Sequence, residues 1–156
     1  MMTDAGTHVP LIAYWKGVTP RGAMSSDLID FSDFMPTLAE AVGARIPERL
    51  AMDGRSFLPQ LRGEQGAPRE WVFCHYDPQV PYADFSEHAG RFARDQRYKL
   101  YSDGRLFDVT ADRLEERDIE SGRGSPAVEA ARRRLQAVLD SMPPWTPQQS
   151  GARHNL

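Results

Sequence analysis

Arg97-Tyr98-Lys99-Leu100-Tyr101-Ser102-Asp103-Gly104-Arg105-Leu106-Phe107-Asp108-Val109 is the stretch on which the fold turns. Two short apolar runs flank Asp103-Gly104, a pair suited to a tight reversal between antiparallel strands. Arg91-Phe92-Ala93-Arg94 lies just upstream, across the turn Asp95-Gln96-Arg97. Trp71-Val72-Phe73-Cys74-His75-Tyr76 is a further strand signal. The spacing predicts an antiparallel meander from 71 to 109, with 77–90 as a long loop rich in Pro and aromatic residues.

Outward on the C-terminal side, 110–124 is acidic and then Gly-rich, and reads as a loop. A helix starts at Ser125, its N-cap, with Pro126 at the first helical position. Val128, Ala131, Leu135, Val138 and Met142 form an apolar stripe, and Glu129 is spaced to pair with Arg133. Pro143-Pro144 ends the helix.

On the N-terminal side, Val9-Pro10-Leu11-Ile12-Ala13-Tyr14-Trp15 is a nearly continuous apolar run closed by Lys16-Gly17. Such a run reads as a strand buried on both faces, as in a parallel sheet. Nothing else in the chain reads as a second strand of that kind, so its sheet is expected to belong to a portion that this chain does not contain. A helix is predicted near 33–42, with Asp33 as N-cap and Pro36 in the first turn. Phe34, Leu38, Ala41 and Val42 share a face, and Gly43 is the stop. Residues 44–55 read as a loop with the turn pair Asp53-Gly54, and 56–63 as one or two helical turns. The polar stretch Glu64-Gln65-Gly66-Ala67-Pro68 marks a boundary, giving 1–68, 69–142 and a loose tail at 143–156.

The chain has 156 residues, 40% of them hydrophobic, enough for a core and against wholesale disorder. A net charge of -3 and an isoelectric point near 5.8 give no case for nucleic acid or anionic lipid as the main partner. No apolar run approaches the ~18 residues of a membrane helix, and Met1–Gly6 carries neither a basic n-region nor an apolar h-region. A lone cysteine excludes an internal disulfide framework and a cysteine-rich zinc site. The 17 Arg against 2 Lys are scattered among acids and form no basic patch.

Five strings, in order, resemble the sulfatase family. Ala5-Gly6-Thr7-His8-Val9-Pro10-Leu11-Ile12 is similar to the segment that follows the family's active-site lysine and enters a core strand. Asp33-Phe34-Met35-Pro36-Thr37-Leu38 followed by Gly43 resembles its "D-hydrophobic-x-P-T-L … G" helix. Asp53-Gly54-Arg55-Ser56-Phe57-Leu58-Pro59-Gln60-Leu61-Arg62-Gly63 resembles its "D-G-x-S-hydrophobic-x-P-x-L-x-G" stretch. Arg97-Tyr98-Lys99-Leu100, then Leu106-Phe107-Asp108-Val109 with Asp112 and Glu115, resemble its C-terminal signature. The resemblance implies the C-terminal part of an alkaline-phosphatase-like α/β fold: a core strand and helix, then a small antiparallel sheet with a C-terminal helix.

It also implies hydrolysis of sulfate esters by a formylglycine, made from the Cys or Ser of a C-x-P/A-x-R motif, with calcium on an Asp-Asp pair and a later Asp-His or Asp-Asn pair. None of these motifs occurs in this sequence. The chain is therefore expected to be inactive alone, with no catalytic residue, no metal ligand and no cofactor of its own. Its expected partners are a sulfate ester, in the complete enzyme, and an N-terminal portion; nucleic acid and membrane are not expected. A phosphohydrolase or phosphonate hydrolase of the same superfamily, and a non-catalytic remnant or partner-binding module, stand as alternatives.

By the resemblance, Thr7-His8 lies at the mouth of the substrate pocket, and His8 is the leading substrate-side candidate, with Thr7 beside it. An imidazole can donate a hydrogen bond to an anionic ester; the competing reading is a histidine capping the start of the strand. Asp4 would help to shape the same rim. Cys74 and His75 are adjacent on a strand and so point to opposite faces, which argues against a nucleophile pair. His75, Asp77, Asp84 and His88 fit no compact metal-ligand spacing, and Tyr76, Tyr82 and Phe85 are read either as substrate contacts in a complete enzyme or as packing of the loop on its own scaffold. Asp108, Asp112 and Glu115 are read as structural carboxylates, and Arg132-Arg133-Arg134 as a run that spreads around the helix and includes solvated faces.

Overall fold

A computed structural model describes residues 2–77, 79–80, 83–84 and 89–145; Tyr82, Phe85, His88 and the tail from 146 lie outside the described residues. The chain divides into two compact units, Met1–Val9 with Phe73–Leu156, and Pro10–Val72.

The first unit is built on a four-stranded sheet in the order β1-β4-β5-β6. Its strands are β1 (Val72–Tyr76), β4 (Gly90–Arg94), β5 (Tyr98–Tyr101) and β6 (Leu106–Asp108). The region read as a plain loop carries a small antiparallel pair, β2 (Gln79–Val80) and β3 (Ala83–Asp84). β4 and β6 both pair antiparallel with β5, and the registers Ala93↔Leu100 and Leu100↔Leu106 put three fully buried apolar side chains in one row. The turn between β5 and β6 closes as its sequence predicts, with Gly104 at φ 93, a conformation that a β-carbon disfavours. Because side chains alternate along a strand, the opposite face carries Phe92, Arg94, Lys99, Tyr101 and Phe107. Phe92, Tyr101, Phe107 and Val109 form a cluster there, with Met2 and half-buried Cys74 packed against it.

Helix α4 (Pro126–Ser141) packs on β4 and β5 through buried Ala131, Leu135, Val138 and Leu139. Ser125 caps it by accepting from the Val128 amide. Glu129 does not seek Arg133: its Oε1 accepts from the Gly122 and Gly124 amides at 3.1 and 3.3 Å, and its Oε2 lies 3.7 Å from Arg132. The arginine run spreads around the helix as expected, with Arg133 and Arg134 exposed and Arg132 half-buried. Arg132 donates to the carbonyls of Gly104 and Ile119, and Arg134 to Asp95, which ties the helix to the loops at the ends of the strands.

The second unit explains two of the sequence strings physically. A 3₁₀ turn, Phe31–Asp33, leads into α2 (Phe34–Ala41). Asp33 stands at the N-cap position of α2 as the spacing predicts, but its side chain makes no capping bond to that helix. The capping box closes the 3₁₀ turn, where Asp30 accepts from the Ser32 amide and the Asp33 carboxylate accepts from the Asp30 amide. Asp33 is freed for a different task. Its carboxylate takes the Arg55 amide at 2.6 Å and the Arg69 Nε at 2.9 and 2.7 Å from its two oxygens. One turn on, the Thr37 hydroxyl donates to the Asp33 carbonyl and accepts from the Phe57 amide. Phe57 and Leu58, at the start of α3 (Leu58–Leu61), are buried. The "D…P-T" and "D-G-x-S" strings are thus the two halves of one hydrogen-bonded joint.

Gly54 sits in that joint with no room for a side chain: an added β-carbon would lie 1.9 Å from the Ser32 carbonyl oxygen. Gly54→Ala is expected to lower stability by about 1–3 kcal/mol or more, read as a fall in the denaturant midpoint at unchanged slope.

Two expectations fail in this unit. Residues 9–15 form no strand, and the run is open to solvent, with Ile12 91% and Tyr14 83% exposed. A strand of that type is made by neighbours on both sides, and among the described residues it pairs with none. The buried position of α2 is Thr37, with Asp33 buried just ahead of it, while Leu38 and Val42 of the expected stripe face out.

Candidate functional site

Helix α1 (Asp4–Thr7) carries the site, at the point where the sequence suggested entry into a strand. Four residues cannot hold a helix by themselves, because the nucleation cost exceeds what one turn returns. It is held instead by charges on the sheet face beneath it. Asp4 is buried, and its carboxylate accepts from the Arg94 guanidinium of β4. Its amide donates to Glu115, from the loop after β6. Lys99, in the middle of β5, has a side chain with no exposed surface. Its ammonium lies 4.0 Å above the Phe92 ring and donates to Glu115 at 2.9 Å and to the Met2 carbonyl. The Tyr101 hydroxyl donates to the second oxygen of Glu115. Burial pushes the Lys99 ammonium below its ordinary value, with Glu115 opposing the shift. Burial and the Glu115 charge both push the Tyr101 phenol upward, so it stays protonated. Two cations and two carboxylates balance in this cluster, as buried charges must.

His8 closes α1. Its Nδ1 lies 3.1 Å from the other oxygen of Asp4, one helical turn earlier, and its side chain is 56% exposed. With Asp4 accepting from Nδ1–H, the ring offers Nε2 to an outside group. The ring borders a cleft of about 280 Å³ shared with Asp4, Arg94, Thr110 and Arg113. Asp4 and Arg94 are paired with each other in that lining, which leaves the Arg113 guanidinium and the His8 imidazole to meet an anion. Thr7 does not line it; its hydroxyl donates back to the Thr3 carbonyl.

The remaining candidates are used elsewhere. Cys74 faces the core cluster, whereas His75 is exposed and meets the Trp145 ring edge-on at 4.6 Å, so the two do not form a nucleophile pair. Asp77 accepts from the Trp145 indole. Asp108 is bound by Arg97 and Thr110, and Asp112 by the Arg117 amide. A second cleft, of about 200 Å³, is lined by Asp53, Arg55, Arg69, Glu70 and Trp71, and its Arg69 is committed to Asp33. Among the described residues no group of three or more His, Cys, Asp or Glu could hold a metal. Asp4, Asp33 and Glu115 have their oxygens occupied by Arg94, Arg69 and Lys99, so these side chains do not fit the oxygen cage that calcium requires.

Of this cluster the sequence reading names Asp4 and His8 but not Arg94 or Lys99, and it gives Glu115 no part in the site. Asp4 and Arg94 are 90 positions apart, and Asp4 and Glu115 are 111 apart. The one local signal is Lys99 itself, a charge between Tyr98 and Leu100 in a strand that is otherwise apolar.

Comparison with known proteins agrees with this architecture. The family model for N-sulphoglucosamine sulphohydrolase, C-terminal, matches residues 1–142. An ulvan-active sulfatase of Formosa agariphila is 33% identical over 112 residues, covering 71% of this chain and 22% of that protein. Human arylsulfatase A is 33% identical over 113 residues, covering 70% of this chain and 21% of that protein. Among solved structures, a candidate sulfatase of Bacteroides thetaiotaomicron superposes with a TM-score of 0.52 at 27% identity, over 69% of this chain and 23% of that one. The chain thus spans about a fifth of the length of the curated relatives it matches. With the family model covering all but the last residues and the small sheet and C-terminal helix in place, the chain belongs to the sulfatase family, as a C-terminal portion of its alkaline-phosphatase-like fold.

Proposed function

We propose that this chain is the C-terminal part of a sulfate ester hydrolase and that it contributes His8 to the substrate side of the site. The observation that carries this reading is the Asp4–His8 pair: a half-exposed imidazole, oriented through Nδ1 by a buried carboxylate, beside a cleft bordered by Arg94 and Arg113. With Nδ1–H given to Asp4, Nε2 carries a hydrogen only in the protonated ring. In that form it donates to a sulfate oxygen or to the ester oxygen of the leaving group, and Arg113 offsets the charge. In this reading residues 1–68 end the main α/β domain and 69–142 form an α+β subdomain. The nucleophile and the calcium ligands come from residues outside this chain.

A second observation favours a partner surface. Phe31, Met35, Leu38 and Val42 recur at helical spacing along one side of α2 and are 84%, 52%, 62% and 78% exposed. Apolar area of that extent marks an interface. In the hydrolase reading the rest of the enzyme covers it; a binding module would present it to another protein.

An assay of the chain alone with a chromogenic aryl sulfate, beside thermal melts with and without millimolar calcium, tests the proposal. The expected result is no turnover and no calcium-dependent shift, whereas a bound ligand at a hundredfold excess over its Kd would add about 2.7 kcal/mol. Turnover lost on Cys74→Ala would make Cys74 the nucleophile and contradict the proposal.

A further inference from the structure

We propose that Glu115 and Lys99 are positioning residues for His8: a buried ion pair contributed by the far end of the sheet unit fixes the backbone from which the Asp4–His8 pair is built. The inference rests on the reading of His8 as the substrate-side residue.

Glu115 is the one non-glycine residue with positive φ, at 58°, among the described residues. A side chain in the left-handed region is held there against its own backbone preference, and such positions persist where the surroundings over-determine them. A loop that needed only to reverse direction would be served by Gly or Asn. The conformation instead turns a carboxylate inward until it is 3% exposed. One of its oxygens accepts from both the Asp4 amide and Lys99, and the other from the Tyr101 hydroxyl. Lys99 reaches past Glu115 to the Met2 carbonyl. The pair therefore grips the backbone at residues 2 and 4, directly ahead of the carboxylate that holds Nδ1 of His8.

An apolar anchor would keep this segment on the sheet but leave it free to rotate about its axis. Charge-assisted hydrogen bonds are directional and remove that freedom. On a helix of four residues, rotation decides where the imidazole points.

The test is made on the 156-residue chain by residue-resolved amide exchange and by the imidazole ¹⁵N signals of His8. K99M/E115M replaces the pair with uncharged side chains of similar length and leaves no orphaned charge. Protection at the Asp4 and His8 amides is expected to fall at least about tenfold further than at the Tyr101 amide, which bonds to Arg105 inside the sheet unit. The Nδ1–H signature of His8 is expected to disappear with it. An equal loss at all three amides, or an unchanged His8 signature in the folded variant, would overturn the proposal. Should the double variant fail to fold, E115Q, which strips Lys99 of its counter-ion, is read in the same way: a selective loss at Asp4 and His8 supports the proposal and an even one contradicts it. Neither readout depends on turnover, so failure of the hydrolase reading and failure of this one are separately visible.

Discussion

Arg69→Ala is expected to destabilise the Pro10–Val72 unit by about 3–5 kcal/mol, more than any surface substitution in the chain. Asp33 is 2% exposed, and Arg69 binds it from two nitrogens while also donating to the Ser32 hydroxyl and the Asp53 carbonyl. Removing the guanidinium leaves a carboxylate buried at the joint that links 30–37 with 53–57, with two amides to satisfy it in place of a cation. The Trp15 and Trp71 fluorescence of this unit reports the shift in denaturant midpoint. Acid should reproduce the loss. Burial alone would raise the Asp33 carboxyl, but Arg69 and the Arg55 and Asp30 amides outweigh it and hold it below its ordinary 3.8. A carboxyl lowered on folding contributes stability in full above the unfolded value, and loses it as pH falls through the lower folded one. The wild type should therefore weaken below about pH 4, and Arg69→Ala should lack most of that acid limb.

Leu135→Ala carries the second large effect, about 2–5 kcal/mol, because Leu135 is 1% exposed at the centre of the α4 contact with β4 and β5. The neighbouring Arg133→Ala is the control. Its side chain is exposed, and Glu129 is engaged with Arg132 and the Gly122 and Gly124 amides, so the change should stay within about 0.5 kcal/mol. Equal midpoints for the two variants would mean that the helix does not dock through its apolar stripe.

These contrasts show what local pattern can and cannot specify. The sheet is legible because period-two alternation and Asp103-Gly104 are properties of neighbouring residues, and α4 is legible because Ser125 and Pro126 are a cap and a start in themselves. The run 9–15 and the outer face of α2 are exposed despite their apolar composition, since burial is a relation to what lies alongside and not to composition. Asp33 occupies the N-cap position that local spacing assigns it, but only its partner Arg69, 36 positions on, makes it an anchor. The site follows the same rule. His8 and its i,i+4 partner Asp4 lie within reach of sequence reasoning, but Arg94, Lys99 and Glu115 meet them only through the closed sheet.

The direct test of the central claim is a transplant. Residues 1–142 replace the matching C-terminal segment of the ulvan-active sulfatase, and turnover of that enzyme's own substrate is measured with His8 intact and with His8→Ala. The account predicts a working chimera whose turnover falls about 10- to 100-fold on His8→Ala, the loss of one hydrogen bond to a charged group at about 1.5–3 kcal/mol. A chimera that melts cooperatively yet turns over equally well with and without the imidazole would contradict it.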